Sequence, residues 1–488
     1  MTTTAAAATS TPATPATPAT PAALPAPVPG PAPFPPAGRP SAPVTPSASS
    51  GPAAGALGSP WPSSARPGAA GELLIGGVGL AEAADRFGTP LYVLDEDEVR
   101  GRARAYRRAL PKAEVFYAAK AFLCSAMADW IAEEGLGLDV CSAGELRLAT
   151  AAGFPPERIL LHGNAKTPEE LRLARRLRVG RLVVDSLSEI PRLAALAVAD
   201  APQRVLVRVV PGVAAGHHSA VRTGVDGQKF GFRIAGGDAA EAVDRVLAQP
   251  GLELTGLHCH LGSQITDTEL YRTDLDRLVE LLAGIRDRHG VELPELDLGG
   301  GHGVRYRPQD EELDPARFAA GTTAHLAARC AERGLAVPRL LVEPGRAIAA
   351  PAAVAVYRVL AVKHTADGRA YAAVDGGMSD NPRPALYGSA YDVRPVGRPT
   401  AGTATGVFDV VGRHCEAGDV LVRGARLPAD LRPGDLLAVP AAGAYQLSMA
   451  SGYNLVGRPP VVAVRDGRAR LLLRRETVED FRAREVGR

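Results

Sequence analysis

Eight short β-like runs, separated by helical stretches, constrain the fold of this chain more than any other feature. Each run is rich in Val, Leu and Ile and ends in polar residues or glycine, and intervening segments such as PEELRLARRLRVG have apolar residues at helical spacing. The runs are VFYAAK (115–120), LGLDVCS (136–142), ILLHG (159–163), RLVVDS (181–186), RVLVRV (204–209), LTGLHCHL (254–261), ELDLGGG (295–301) and RLLVEPG (339–345). This alternation predicts an α/β fold, a (β/α)8 TIM-type barrel, with an open doubly wound sheet as the alternative.

Nearly every run ends in a residue that is capable of chemistry. These residues are Lys120, Asp139, His162 with Asn164, Asp185, Arg208, His260, the glycines 299–301 and Glu343. In a barrel the carboxyl ends of all strands open at one mouth, which is where barrel enzymes have their active sites. Core packing does not explain such a series, so it favours the barrel over the open sheet.

The composition of the chain changes at both ends of this region. Residues 1–72 are mostly Ala, Pro, Thr, Ser and Gly, too poor in large apolar groups to offset the entropy of ordering, and we expect a disordered extension; an organelle transit peptide is the alternative. The barrel is expected over 96–350. Pro and Gly then punctuate short β-rich runs, which predict a second, mostly antiparallel β domain over 351–488. We expect the segment 73–95, with ELLIGG, to pair with that domain.

Charge and cysteine usage exclude several classes of protein. The formal net charge of +2 gives no footprint for nucleic acid, and no apolar run approaches the ~20 residues that span a bilayer. Five cysteines without paired spacing are typical of a reducing compartment. We therefore expect a cytoplasmic protein that binds neither nucleic acid nor membrane.

Lysine and glycine at two strand ends suggest a phosphorylated carbonyl cofactor. Lys120 lies among apolar neighbours in YAAKAF, which would disfavour its ammonium form and favour the neutral amine that forms a Schiff base; a solvated strand end is the ordinary alternative. The GGGHG sequence at 299–303 follows the seventh run, near the usual phosphate site of barrels, although a plain turn also fits.

Three further motifs supply charged and nucleophilic groups. In EPGR, Glu343 can keep the ring nitrogen of a pyridine cofactor protonated and Arg346 can hold an anion; a surface salt bridge is the alternative. His258 and His260 share one strand face, but no further ligands follow at metal-site spacing, so we expect no metal. HCEAGD supplies Cys415, whose thiol would have to be accessible to donate a proton at carbon; a buried thiol without chemistry is the ordinary alternative.

The motifs occur in the order of a known family. They are YAAKAF, GLDVCSAGEL, LHGNAKT, QKFGF, HCHLGSQI, DLGGGHG, EPGRAI, VDGGMSDNPRPALYG, HCEAGD and AAGAYQLSMASGYN. Over about residues 73–480 the chain resembles the fold-type III pyridoxal-phosphate-dependent amino-acid decarboxylases, and among them the diaminopimelate decarboxylases. The resemblance implies a carboxy-lyase that converts meso-2,6-diaminopimelate to L-lysine and CO2, the last step of lysine biosynthesis.

The resemblance also implies roles for individual residues. Lys120, His260 and Cys415 would be catalytic: the first forms the Schiff base, the second stacks on the cofactor ring and the third returns a proton. The pyridoxal 5'-phosphate contacts would come from Lys120, Asp139, His260, Ser263, Gly299, Gly300, Gly301, Glu343, Pro344, Gly345, Arg346 and Tyr445. The amino-acid substrate would meet Arg346, Arg383, Tyr387, Glu416 and Tyr445. Cys415 and Glu416 would come from the partner subunit of a homodimer with shared active sites.

Alternatives remain open at this stage. Ala165, His302 and Ala417 depart from the family pattern, which allows a decarboxylase of another amino acid, either ornithine- or arginine-like or from secondary metabolism. A catalytically silent regulatory relative is a second alternative, although Lys120 and Cys415 are both retained. An amino-acid racemase shares barrel and cofactor, but RPALY and HCEAGD argue against it.

Overall fold

The computed structural model describes residues 2, 57–196, 200–213, 229–398 and 403–487, of which all from 57 onward belong to one compact unit. Most of the extension expected over 1–72 lies outside the described residues. Its last part does not: Trp61 is buried in a cluster with Leu73 and Ile75, and its indole N–H donates to Asp392. The boundary predicted at residue 72 therefore lies too late, because Trp61 brings a large aromatic side chain into a buried cluster with Leu73 and Ile75.

A small antiparallel sheet follows Trp61. It consists of β1 (Arg66–Pro67), β2 (Leu73–Ile75) and β3 (Val78–Gly79), after which the chain forms α1 (Leu80–Phe87) and β4 (Leu91–Asp95). The ELLIGG segment thus forms β2 and pairs with its own neighbours, and the expected pairing with the C-terminal domain is wrong for this strand. Gly76 and Gly77 have φ values of +54° and +82°, so they turn the chain back immediately after β2.

Eight parallel strands then close into a barrel, as the sequence predicts. They are β5 (Glu114–Ala118), β6 (Gly137–Val140), β7 (Ile159–Leu161), β8 (Arg181–Val184), β9 (Gln203–Val210), β11 (Leu252–His258), β12 (Glu295–Asp297) and β13 (Arg339–Val342). Each pairs in parallel with the next, and β13 pairs with β5 to close the ring. The two-residue β10 (Phe232–Arg233) adds to β9 outside the ring.

Side chains fill the barrel interior toward the amino-terminal ends of its strands. Phe116, Leu160, Val183, Leu206 and Leu341 form a buried apolar layer inside it. At the amino-terminal ends of the strands, Arg181 donates two hydrogen bonds to Glu295, of 2.6 and 2.7 Å, and both side chains are buried. The filled interior leaves only the carboxyl-terminal mouth for a site.

Helices surround the barrel, and four of those that the structure describes begin at a side-chain cap. They are α2 (Glu96–Ala109), α3 (Ser125–Glu133), α4 (Ala143–Ala151), α5 (Pro168–Leu177), α6 (Glu189–Ala194), α7 (Asp238–Leu247), α8 (Glu269–His289) and α9 (Pro315–Arg333). Asp95, Ser142, Thr167 and Asp314 each accept a backbone N–H in the first turn of the helix they precede. Within the described parts of the chain, no helix is long and apolar enough to cross a membrane.

The second domain is mostly antiparallel, as expected, and is discontinuous in sequence. The short helix α10 (Arg346–Ala349) leads into it, and its elements are β14 (Ala353–His364), β15 (Ala370–Val374), α11 (Arg383–Tyr387), β16 (Arg394–Val396), β17 (Thr405–Val411), β18 (Val420–Pro428), β19 (Leu436–Val439), β20 (Val461–Arg465), β21 (Arg468–Leu473) and α12 (Val478–Arg482). The sheet order is β18-β17-β15-β14-β4-β20-β21, with β19 also on β14 and β16 on β19. Since β4 lies between β14 and β20, a strand from before the barrel joins the two halves of this sheet.

Candidate active site

The strand ends of the barrel converge on one cavity that the second domain covers. The cavity has a volume of about 670 Å³. The barrel contributes Lys120, His260, Ser263, Gly301, Glu343, Gly345 and Arg346 to its lining, and the second domain contributes Arg383, Tyr387 and Tyr445. Most of the residues singled out from the sequence therefore face one space, as expected for a barrel with catalytic strand ends.

Lys120 lies in the short 3-10 helix Ala119–Ala121 directly after β5, and its side chain is exposed to the cavity. Burial by the surrounding protein disfavours its charged form, but the charges of Asp139, Tyr445 and Glu343 favour it by more, so its pKa is raised above the ordinary value. The expectation of a lowered pKa from apolar neighbours is wrong for the cofactor-free protein, because the strand ends that converge beside Lys120 carry carboxylates.

The glycines after β12 let two strand ends approach closely. A Cβ atom on Gly300 would lie 2.2 Å from the carbonyl oxygen of Glu343, and one on Gly301 would lie 2.1 Å from the carbonyl oxygen of Gly262. The Gly300 N–H donates to Nδ1 of His260 over 3.1 Å, which fixes the imidazole against this loop. Side chains are excluded here, so the loop presents backbone to the cavity beside Ser263, which suits a phosphate group.

Glu343 lies at the floor of the cavity and is supported by two histidines. Its Oε1 atom is 2.6 Å from Nε2 of His162 and 3.5 Å from Nε2 of His258. Burial raises the pKa of Glu343, but the two imidazoles lower it by more, and the net direction is well below the ordinary value. The neighbouring Asp297 has a raised pKa, since burial and the charge of Glu343 both oppose its ionisation. This network keeps the negative charge on Glu343.

The same four side chains also meet the distance requirement of a metal site. One ligand atom from each of His162, His258, Asp297 and Glu343 lies within 4.8 Å of the others. The hydrogen bond between His162 and Glu343 already pairs two of them. The arrangement is therefore explained by proton sharing among buried acids and bases, and we keep the expectation of no metal.

Asp139 is buried next to this network at the end of β6. Its carboxylate is 3.8 Å from Nε2 of His162, and burial raises its pKa to about 6, although His162 and Lys120 counteract the shift. Asp139 does not line the cavity, and neither do Gly299, Gly300 and Pro344, all of them described residues. It acts on the site through the electrostatic field at Lys120.

Two guanidinium groups meet at the opposite side of the cavity. Arg346 donates to the Tyr306 hydroxyl over 2.5 Å and to Ser263 over 2.7 Å, and Arg383 donates to the same Tyr306 hydroxyl. Tyr445 stacks on Arg346 at 4.7 Å, and its φ of +58° is a conformation that non-glycine residues adopt rarely and mostly at functional sites. The sequence analysis missed Tyr306, because it lies in a loop five residues beyond the glycine run and no local pattern marks it.

Cys415 and Glu416 lie outside the cavity. Both are described and exposed, and neither lines the cavity of this chain. The loop around them is held by His414, whose ring nitrogens lie 2.8 Å from the Ser379 hydroxyl and 2.9 Å from the Asn454 side-chain oxygen. The loop thus presents an accessible thiol and carboxylate at the surface of the second domain.

Two departures from the family pattern have different surroundings. Ala165 is exposed, whereas His302 is buried with its ring against Tyr106 and Phe318 and shares a 2.8 Å hydrogen bond with the Tyr106 hydroxyl. Burial lowers the pKa of His302 to about 3. The imidazole is therefore neutral; it packs between the barrel and its helices and also borders the cavity.

Comparison with known proteins is consistent across sequence and structure. The family model described as pyridoxal-dependent decarboxylase, pyridoxal binding domain, matches residues 96–350. A curated diaminopimelate decarboxylase from Actinosynnema pretiosum subsp. auranticum is 58% identical over 416 residues, 85% of this chain and 93% of the relative. One from Mycobacterium tuberculosis is 48% identical over 436 residues, 87% and 97% of the two chains. The crystal structure of diaminopimelate decarboxylase from M. jannaschii in complex with L-lysine superposes with a TM-score of 0.81 at 29% identity, covering 88% and 98%.

Proposed function

The chain belongs to the pyridoxal-dependent decarboxylases, and from this premise we infer that it removes one carboxyl group of meso-2,6-diaminopimelate as CO2 and leaves L-lysine. The curated relatives that match most of its length bear the name of this activity. The assignment of meso-diaminopimelate as the substrate rests on Arg346 and Arg383. Diaminopimelate has a carboxylate at its non-reacting end, and paired guanidiniums recognise such a group, whereas ornithine would bring only an ammonium there.

We assign pyridoxal phosphate to the cavity, where the residues present fit it. When bound, the cofactor delocalises the electron pair that the departing CO2 leaves on carbon. Lys120 supplies the amine that holds it, Ser263 and the glycine loop 299–301 supply a hydroxyl and backbone groups for its phosphate, and His260 supplies a flat face for its ring. The turn of Pro344 and Gly345 lets the backbone of the last strand approach the same phosphate.

Glu343 would hold the proton on the ring nitrogen, since its charge is maintained by His162 and His258. Asp139 would keep Lys120 charged until the cofactor is bound. Tyr387 and Tyr445 would orient the substrate between Lys120 and the arginines. Glu343, Tyr387 and Tyr445 line the cavity, whereas the assignment of Asp139 rests on its charge near Lys120.

The last chemical requirement is a proton for the carbon that has lost CO2. We propose that the Cys415 thiol of a second subunit delivers it and that Glu416 beside it binds the distal ammonium. Both side chains are exposed, and Glu416 is oriented by a 2.5 Å hydrogen bond from the Tyr453 hydroxyl. The functional unit would then be a homodimer with two shared sites. The five cysteines are all free thiols, in keeping with the cytoplasmic location that we propose.

A substrate panel tests the reaction. The purified full-length protein, loaded with pyridoxal phosphate, is supplied with meso-diaminopimelate, L-ornithine, L-arginine or L-lysine, and CO2 release is followed. We expect kcat/KM for meso-diaminopimelate to exceed the others by about 100-fold or more, since a site built for a carboxylate leaves the buried Arg383 and the half-buried Arg346 without an anionic partner when none arrives. Lys120→Ala is the control for cofactor-dependent turnover. A higher kcat/KM for any monocarboxylic amino acid would refute the assignment.

A further inference from the structure

We infer that Tyr306 is a specificity-determining residue, which gathers the guanidiniums of Arg346 and Arg383 at one point and thereby completes the binding site for the second carboxylate of the substrate. This inference rests on the proposed function and adds to it a residue that none of the sequence motifs contains.

The geometry around Tyr306 is that of a shared acceptor. Its hydroxyl oxygen accepts hydrogen bonds from both arginines, and its ring lies 4.7 Å from the guanidinium carbon of Arg383 and 5.9 Å from that of Arg346. Tyr391 packs edge-on against the same ring at 5.0 Å. Tyr306 and Arg383 are each only 5% exposed, so neither group can move without disturbing the packing. The hydroxyl therefore fixes where two long, flexible side chains end.

The charges at this point are unbalanced. Among the residues that the structure describes, no aspartate or glutamate forms an ion pair with Arg346 or Arg383, whose other hydroxyl partners are Ser263 and Ser389. The acidic residues of the cavity rim are occupied elsewhere, because Asp310 pairs with Arg307 and Glu311 accepts from Thr266. Two adjacent cations that share only neutral acceptors make a site for an anion.

A phenol suits this task better than a carboxylate would. A carboxylate between the guanidiniums would neutralise them and compete with the substrate, whereas a neutral hydroxyl holds them and leaves their charge available. Burial raises the pKa of Tyr306, but the two arginines lower it by more, so that the O–H group is a strong donor. An incoming carboxylate can then accept from both guanidiniums and from this O–H group.

The phosphate of the cofactor is the other anion nearby, since Ser263 contacts Arg346. We assign the position beside the Tyr306 hydroxyl to the substrate carboxylate. Arg383 comes from the second domain, and among the residues that the structure describes its side chain donates to Tyr306 and Ser389 and not to the glycine loop. Separate measurements of cofactor affinity and of ligand affinity distinguish binding of the cofactor phosphate from binding of the substrate carboxylate.

The test uses Tyr306→Phe in the holoenzyme, with Tyr391→Phe as matched control. Both substitutions remove one phenolic oxygen from a pair of rings packed edge to face, but neither guanidinium donates to Tyr391. Binding of L-lysine, which keeps one carboxylate, and of cadaverine, which has none, is titrated by the change in cofactor absorbance. Cofactor affinity and the kcat and KM for meso-diaminopimelate are measured alongside.

For Tyr306→Phe we expect the Kd of L-lysine and the KM of meso-diaminopimelate to rise about tenfold or more, with the Kd of cadaverine and of the cofactor unchanged. The control should leave the ratio of the two ligand affinities as in the wild type. Equal weakening of L-lysine and cadaverine would overturn the inference, and so would a loss confined to the cofactor. If the wild type is inactive on meso-diaminopimelate, the proposed function is overturned. If the wild type is active and Tyr306→Phe leaves the ratio of the L-lysine and cadaverine affinities unchanged, only this inference is overturned.

Discussion

Glu343 carries a negative charge where burial by itself would remove it. The carboxylate is only 3% exposed, and His162 and His258 stabilise the ionised form. His258 has its own pKa lowered to about 3, because burial outweighs the attraction of Glu343. The charge is thus kept by the His162 hydrogen bond and the neighbouring His258 ring, which leaves the carboxylate available to a protonated ring nitrogen.

Replacing that charge tests its role. We expect Glu343→Gln to lower kcat for meso-diaminopimelate by about 100-fold or more, because the amide cannot hold a ring proton and the loss amounts to roughly 3 kcal/mol. Steady-state kinetics measure the rate, and the absorbance of the bound cofactor reports whether it is still held. Glu311→Gln removes the same charge from the exposed rim of the cavity and should keep kcat within about threefold. A Glu343→Gln enzyme with normal kcat would contradict the assignment.

At the scale of elements, the helices are attached to the barrel by polar groups as well as apolar ones. Asp274 of α8 is fully buried, and its Oδ1 atom accepts from the thiol of Cys259, 3.5 Å away at the end of β11. Burial raises the pKa of Asp274 from 3.8 to about 7. A buried acid of this kind stabilises the fold when protonated and opposes it when ionised.

The sign of the resulting pH dependence is fixed by that shift. Between about pH 4 and pH 7 the unfolded chain has lost the Asp274 proton while the folded one retains it, so the stability due to this group falls as the pH rises. Asp274→Asn cannot titrate. We expect the free energy of unfolding of the wild type, relative to this variant, to fall by about 2–3 kcal/mol from pH 5 to pH 8. Urea denaturation of the cofactor-free proteins measures the difference.

Asp287→Asn, on the exposed side of the same helix, controls for the loss of one carboxylate. A wild-type minus Asp274→Asn difference that is independent of pH would show that Asp274 is ionised in the fold. The measurement is made as a difference because other groups titrate in the same range. His258 and His302 are buried and neutral, and they destabilise the fold as the pH falls below about 6.5.

At the scale of the whole molecule, the second domain does two things for the barrel. It covers the mouth with Arg383, Tyr387 and Tyr445, and it exposes Cys415 and Glu416 on a loop that lies outside the cavity of the same chain. The cavity of a single chain therefore contains the groups proposed to bind the cofactor and the substrate carboxylate but not the proposed proton donor. In a homodimer, each subunit would supply its Cys415 and Glu416 to the cavity of the other.

Subunit complementation tests this arrangement. Lys120→Ala and Cys415→Ala should each be nearly inactive, because one lacks the cofactor amine and the other the proton donor. Co-expressed and purified together, they should regain up to about a quarter of wild-type activity, since about half of the dimers are mixed and each of these has one intact site. Each variant purified singly is the control. No gain in the mixture would refute shared sites.

The sequence by itself determined the barrel, the cofactor chemistry and most of the residues at the mouth. Strand periodicity and the polar residue at each strand end are local signals, and parallel strands bring those ends together whatever their details. Two of the sequence-based expectations that failed have separate physical reasons. ELLIGG pairs within its own small sheet because the turn at Gly76 returns the chain, and Lys120 has a raised pKa because carboxylates from other strands face it.

The tertiary structure alone decided how these groups act on one another. It supported Glu343 with two histidines and put Tyr306 between two arginines that lie in different domains. Each of these depends on distances between residues far apart in the chain. The pKa of a group and the hydrogen bonds that it shares are set by the residues around it in space, and local patterns in a single sequence do not encode these neighbours.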